Sequence, residues 1–278
     1  AEAEYWLQAG AQKVPRLPRD YEDGENLEAS VAQAGARLSV TETRALLQEV
    51  PERYQTEITE ILVLGLVEAL WRWSGERLVR LALEGHGREE IGEAVEVTRT
   101  VGWFTSIYPA VIDLRQVYEL GVMLQRVKEQ LRQIPRRGIG YGALRYLGAS
   151  EAVRQALREQ AEPELSFNYL GQFDQAWLRD TSESGGAMRN PRGRRRYLLD
   201  VSSNVVDGQL QVTVLYSREI HRVERMTELV NQYMTQLRRI IEHCREQQAA
   251  SYTPSDFPQA RLSQAGLNKL LSRMSKAR

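Results

Sequence analysis

The stretch TEITEILVLGLVEALWRWSGERLVRLALEGHGRE, residues 56–89, holds a helix and a strand that ends on a carboxylate. Ile58, Ile61, Leu62, Leu66, Ala69, Leu70 and Trp73 recur at spacings of three and four, which predicts one buried helical face, with Thr56 as its N-cap. The apolar run from Leu78 to Leu83 then reads as a strand leading into Glu84, followed by Gly85-His86-Gly87.

The same alternation of periods extends along the chain. Val117, Leu120, Leu124, Val127, Leu131 and Ile134 predict a second helix that stops near Pro135, and Val223, Met226, Val230, Tyr233, Leu237, Ile240 and Cys244 predict a third. Each stripe spans only about three heptads and is separated from the next by strand-like sequence, which favours packing onto a sheet over a coiled coil. Residues 209–216 alternate polar and apolar after Asp207-Gly208, a hairpin turn signal, so residues 197–206 should be the antiparallel partner. Residues 165–170 form another short strand leading into Gly171. The class is therefore α/β, a mixed sheet flanked by helices.

Composition restricts the partners. Thirty-seven basic and 37 acidic residues cancel, so no global field draws the chain to nucleic acid or an acidic membrane. One cysteine, Cys244, excludes an internal disulfide, and three scattered histidines exclude a His-rich metal cluster. With no long uncharged apolar run and no signal-like start, a cytoplasmic location is expected. Residues 14–26, with Pro15, Pro18 and Gly24, read as an extended crossing segment. Arg189, Arg192, Arg194, Arg195 and Arg196 either grip phosphate or lie in a solvated loop, over residues 181–196, whose charges cancel elsewhere; the neutral balance favours the second. From Ser251 onward the chain reads as a linker or docking tail.

Glu84 is the foremost candidate for chemistry. A carboxylate at the end of a buried strand loses solvation, which raises its pKa toward the range useful for proton transfer. The alternative is a structural ion pair with Arg88 or another cation. His86 and Cys244 read as a hydrogen-bonded turn residue and a core residue. Gly138, Gly140 and Gly142 have the spacing of a phosphate loop without its preceding strand, so no dinucleotide site is expected. Trp103, Phe104 and Tyr108, set between Gly102 and Pro109, suggest an ordered loop able to line a tunnel.

Four runs in fixed order, EGHGRE at 84–89, RTVGWFTSIYP at 99–109, IPRRGIGYG at 134–142 and FNYLGQFD at 167–174, resemble the second half of the epimerization domain of nonribosomal peptide synthetases, a relative of condensation domains. The opening YWL, the helix from Thr56 and YTPSDFP from Tyr252 extend the resemblance over nearly the whole chain. It implies a chloramphenicol-acetyltransferase-like lobe, with residues 1–250 forming the C-terminal lobe and bridging segments and 251–278 the trailing linker. Two such lobes frame a tunnel for the phosphopantetheine arm supplied by a peptidyl carrier protein. The chain itself would hold no cofactor and no metal. The resemblance assigns Glu84 as acid/base and places Asn168 and Tyr169 near the thioester, while Trp103 and Phe104, on the loop able to line a tunnel, are expected at the substrate. The opposing group is a histidine of an HHxxxDG run on the N-terminal lobe. No two histidines are adjacent in this sequence, so that lobe, or an adjacent synthetase domain, is an expected partner. Thr59-Glu60 stands where Asn-Asp is expected, a change expected to spare the pocket. A non-catalytic carrier-docking module and a condensation half-domain are the alternatives, and exposure of the interlobe face predicts a homo-oligomer.

Overall fold

A computed structural model describes residues 2–89, 97–148, 150–173, 189–247, 250–260 and 262–276. Six strands make one mixed sheet: β1 (Val31–Arg37), β2 (Leu78–Gly85), β3 (Ser106–Asp113), β4 (Leu165–Phe173), β5 (Leu199–Val206) and β6 (Gln209–Ser217), in the order β1-β6-β5-β4-β2-β3. The β5–β6 hairpin turns at Asp207 and Gly208, both at positive φ as a two-residue primed turn requires. Val201, Ser203 and Val205 of β5 alternate with more exposed neighbours, as do Leu210, Val212, Val214 and Tyr216 of β6. At the centre, β5 runs parallel to β4 and β4 parallel to β2, while the outer pairs are antiparallel.

Among the described residues eight helices accompany the sheet: α1 (Glu2–Ala11), α2 (Val40–Tyr54), α3 (Ile58–Ser74), α4 (Leu120–Arg132), α5 (Ile139–Leu147), α6 (Glu151–Arg158), α7 (Val223–Glu246) and α8 (Gln264–Lys276). Helix α3 is buried all round from Glu60 to Leu70 rather than along one stripe. It packs so closely on α7 that a Cβ at Gly65 would sit 2.6 Å from Leu237, and Tyr233 Oη donates to the Leu62 carbonyl at 2.8 Å. Its N-cap is Glu57, not Thr56, through a reciprocal capping box with Glu60. Helix α4 starts at Leu120 because the Glu119 carboxylate accepts from the Gly121 and Val122 amides.

Strands β1 and β3, absent from the sequence reading, are the two edges. Only Ala34 of β1 is buried, so its pattern carries no alternation. Pro109 marks β3 as an edge strand, where a residue without an N–H is tolerated. The expected loop between Gly102 and Pro109 thus becomes strand from Ser106. Residues 14–26 do cross in extended form, tied by Leu17 N to Glu164 and by Asp20 and Tyr21 N to the Ile220 carbonyl. Four of the arginines find carboxylates within the chain: Arg189 on Glu28, Arg194 on Glu25, Arg195 on Asp200 and Arg196 on Glu162. The charge-cancelled reading fits all four, and the solvated one fits Arg189, Arg194 and Arg196, whereas Arg195 is buried against Asp200 and the Leu198 and Leu215 carbonyls. Residues 181–188 of that segment lie outside the described residues. The boundary at residue 251 falls within packed structure, since Ser251 N donates to the Arg53 carbonyl and Thr253 is buried. No helix among the described residues is long and apolar enough to cross a membrane.

Candidate functional site

Strands β2 and β4 pair in parallel at Leu81↔Leu165, Ala82↔Ser166 and Leu83↔Phe167. The next residue on each is Glu84 and Asn168. Where the pairing ends, their side chains meet: Asn168 Nδ2 donates to Glu84 Oε2 at 2.6 Å. The carboxyl ends of parallel strands are where open α/β sheets place ligands, since the diverging strands leave a crevice. Glu84 is exposed on the cleft side. Partial burial raises its pKa above the ordinary carboxylate value, and the negative charge of Asp200 raises it further. Among the described residues no cation pairs with it. The Arg88 ion pair weighed from sequence is not formed.

Arg88 instead fastens the glycine turn to the following loop. Its guanidinium lies 4.5 Å from the Phe104 ring centroid and donates to the Val97 and Gly102 carbonyls. Gly87 makes that approach possible: its φ is +66°, and a Cβ there would stand 1.5 Å from the Phe104 carbonyl oxygen. His86 Nδ1 accepts from Arg88 N at 3.0 Å, which leaves Nε2 protonated toward Glu89 Oε1 at 3.0 Å. His86 is a turn residue.

The crevice widens into a cleft of about 690 Å³. Glu84, Asn168 and Tyr169 border it from the sheet, Tyr108 from β3, Thr59, Glu60 and Arg132 from the facing ends of α3 and α4, and Arg137 from the turn before α5. Tyr108 is buried, which pushes its phenol up to about 12, so it stays protonated. Its ring covers Gly138, where φ is +84° and a Cβ would be 2.1 Å from the ring. Partial burial also raises the pKa of Tyr169.

The structure thus brings Glu84, Asn168 and Tyr169 together. It places Trp103 90% exposed and Phe104 against Arg88, and neither borders the cleft in this chain. Thr59 and Glu60, expected to lie away from the pocket, are part of its wall, because α3 points its N-terminus at the cleft. Arg132 was not anticipated. Its sequence signal is only a cation at the helix C-terminus, and its partners are distant in sequence. Cys244 is core, its thiol pushed up to about 12 by burial. No cluster of metal-ligating side chains occurs among the described residues.

The condensation-domain profile matches residues 1–263. One of the linear gramicidin synthase subunits of Brevibacillus parabrevis is 45% identical over 98% of this chain, which spans 4% of that protein. Surfactin synthase subunit 1 from Bacillus subtilis (strain 168) is 39% identical over 97% of the chain and 8% of its own length. Among solved structures, the epimerization domain from the third module of tyrocidine synthetase B aligns with a TM-score of 0.81 at 36% identity, over 87% of this chain and 55% of that one. The condensation domain from Monacolin K polyketide synthase, at TM-score 0.61 and 18% identity over 87% of this chain and 57% of that one, shares the fold. The chain therefore spans a small fraction of the synthetase subunits it matches and just over half of the solved epimerization domain.

Proposed function

The chain belongs to the condensation-domain family, and on that premise we propose that it is the Glu84-bearing lobe of a nonribosomal peptide synthetase epimerization domain, inverting L to D at the Cα of an aminoacyl or peptidyl thioester on a carrier protein. The observation that carries this reading is Glu84 itself, a carboxylate of raised proton affinity, oriented by Asn168 at the mouth of a cleft. The likeness to a solved epimerization domain, at 36% identity against 18% for the condensation domain, supports the same choice.

A thioester acidifies the α-proton of its acyl group, because the carbanion delocalises into the carbonyl as an enolate. Glu84 Oε1, which accepts no hydrogen bond among the described residues, takes that proton from one face. A group on the opposite face returns a proton to Cα, and the configuration inverts. The resemblance assigns that group to a histidine of the N-terminal lobe, and the reaction is proton-balanced, with no redox partner. Asn168 fixes the carboxylate through Oε2, and the Tyr169 phenol, protonated at neutral pH, is a donor for the developing enolate. The phosphopantetheine arm is brought by the carrier protein as part of the substrate.

The carrier-docking module predicts an exposed Glu84 with ordinary proton affinity. The carboxylate is exposed, but its affinity is raised, which favours proton transfer. The test is α-proton exchange in heavy water with an L-aminoacyl thioester on a carrier protein, using this chain with an N-terminal lobe supplied. Glu84→Gln should lower exchange about a hundred-fold or more. Exchange at the wild-type rate in that variant would overturn the epimerase reading in favour of docking.

A further inference from the structure

The wall of the cleft that faces Glu84 is built on charge. Arg132, at the end of α4, uses all five of its donors: Nε to Glu60 Oε1 at 2.7 Å, Nη2 to Glu60 Oε2 at 3.3 Å and the Gln55 carbonyl at 2.6 Å, Nη1 to Asp256 Oδ1 at 2.9 Å and Ser255 Oγ at 3.3 Å. A saturated guanidinium has no donor left for a ligand. Arg132 is therefore a clamp, holding the α3 N-terminus, the α4 C-terminus and the segment after α7 in one arrangement.

Asp256 is the hinge of that clamp. Its second oxygen, Oδ2, accepts from Thr253 N at 2.8 Å and from Lys128 Nζ at 2.6 Å. Lys128 is fully buried and has as its other partner the Tyr54 carbonyl at 2.7 Å. Two cations of α4 are thus balanced by two carboxylates, Glu60 from α3 and Asp256 from the segment leaving the lobe. Removing Asp256 would leave the buried Lys128 with a carbonyl alone, an uncompensated charge that must find water or move. Either way α4 shifts, and with it Arg132, Glu60 and the cleft wall.

Resting on the epimerase reading, we propose that Asp256 is a positioning residue for the Glu84 site, acting through Lys128 and Arg132, so that the segment leaving this lobe after α7 is a strut of the cleft. Docking of residues 251–256 and the geometry opposite Glu84 are then one equilibrium. Displacement of the segment opens the wall, and its seating restores it.

The experiment measures α-proton exchange of Asp256→Asn, with the N-terminal lobe supplied, together with backbone amide exchange of the chain. Ser30→Ala, which deletes a buried hydrogen bond to Ser217 beside β1, at the far edge of the sheet from the clamp, serves as the stability control. Asp256→Asn should lower kcat per folded molecule about ten-fold or more, with KM for the carrier-bound substrate within about two-fold, since a wall displaced by an ångström misplaces the reacting atoms. Amide protection should fall over residues 57–61 and 131–134. Ser30→Ala should do neither. If Asp256→Asn fails to fold, the double variant Lys128→Met/Asp256→Asn removes the orphaned charge and should show the same kcat loss. Wild-type kcat with unchanged amide protection in a folded variant overturns the strut. Should Glu84→Gln keep full exchange, the epimerase reading falls first, and amide protection alone then decides the strut: lost in Asp256→Asn supports it, kept overturns it.

Discussion

Glu60 and Glu84 both have their proton affinity raised by burial, yet their surroundings give them opposite tasks. Both oxygens of Glu60 are occupied, by Arg132 and by the Glu57 amide, so it is fixed as a counter-ion. Glu84 has one oxygen held by Asn168 and faces the cleft. As a base it must be ionised, so exchange should fall as pH drops through its raised pKa, with the acid limb above the ordinary value of 4.5. An acid limb at or below 4.5 would count against Glu84 as the base. Linkage gives a second expectation. Because the folded pKa lies above the unfolded one, Glu84 favours folding below its unfolded pKa, and that contribution is lost as pH rises through the folded pKa. Glu84→Gln should therefore be more stable than wild type at pH 7, by less than about 1 kcal/mol given solvent screening at an exposed group, and the gain should vanish near pH 4. Denaturant midpoints at the two pH values check this, and a destabilised variant at pH 7 would contradict it. Glu84 was legible because an apolar run ends on it. Glu60 was not, because what defines it is Arg132, 72 residues away.

Among the elements, glycines of identical appearance do unlike things. In IPRRGIGYG, Gly138 sits at φ +84° beneath the Tyr108 ring, whereas Gly142 lies inside α5 with nothing within 4 Å of its Cβ position. Gly138→Ala should destabilise by about 2 to 4 kcal/mol, combining left-handed backbone strain with a steric clash. Gly142→Ala should stabilise by about 0.5 to 1 kcal/mol through helix propensity. Thermal and denaturant unfolding of the two variants measures the contrast, and equal effects would refute the role given to Tyr108. The spacing could not separate them, because the distinction lies in contact with β3, a strand the sequence concealed. Central elements were readable for the converse reason. Strands β5 and β6 and helices α4 and α7 carry their burial as a period, and β2 as an apolar run interrupted only by Arg80, while β1 and β3 are edges that bury one residue or carry proline.

At the scale of the molecule, the unfinished surface lies at one end of the sheet. Antiparallel pairing sets the start of β3 beside the end of β2, and β4 ends at the same side. Val101 at 99% exposed, Trp103 at 90% and Leu170, Phe173 and Ile107 at 41–51% therefore emerge around the Glu84 cleft. Elsewhere Arg189, Arg194 and Arg196 meet carboxylates, the crossing segment is hydrogen-bonded and Asp256 anchors the segment after α7, although Leu147, Tyr118 and Tyr146 are also exposed outside the cleft lining. Trp103 and Phe104, expected at the substrate, lie outside the cleft lining of this chain, on the face that the proposed N-terminal lobe would cover. Large apolar side chains exposed side by side drive association when that surface is left open. The chain alone should therefore self-associate with rising concentration in light scattering. Trp103→Ser, which removes the most exposed aromatic ring without touching a packed neighbour, should shift the equilibrium toward monomer, and supplying the N-terminal lobe should do the same. A wild-type chain that stays monomeric at every concentration would mean that these side chains form no adhesive face.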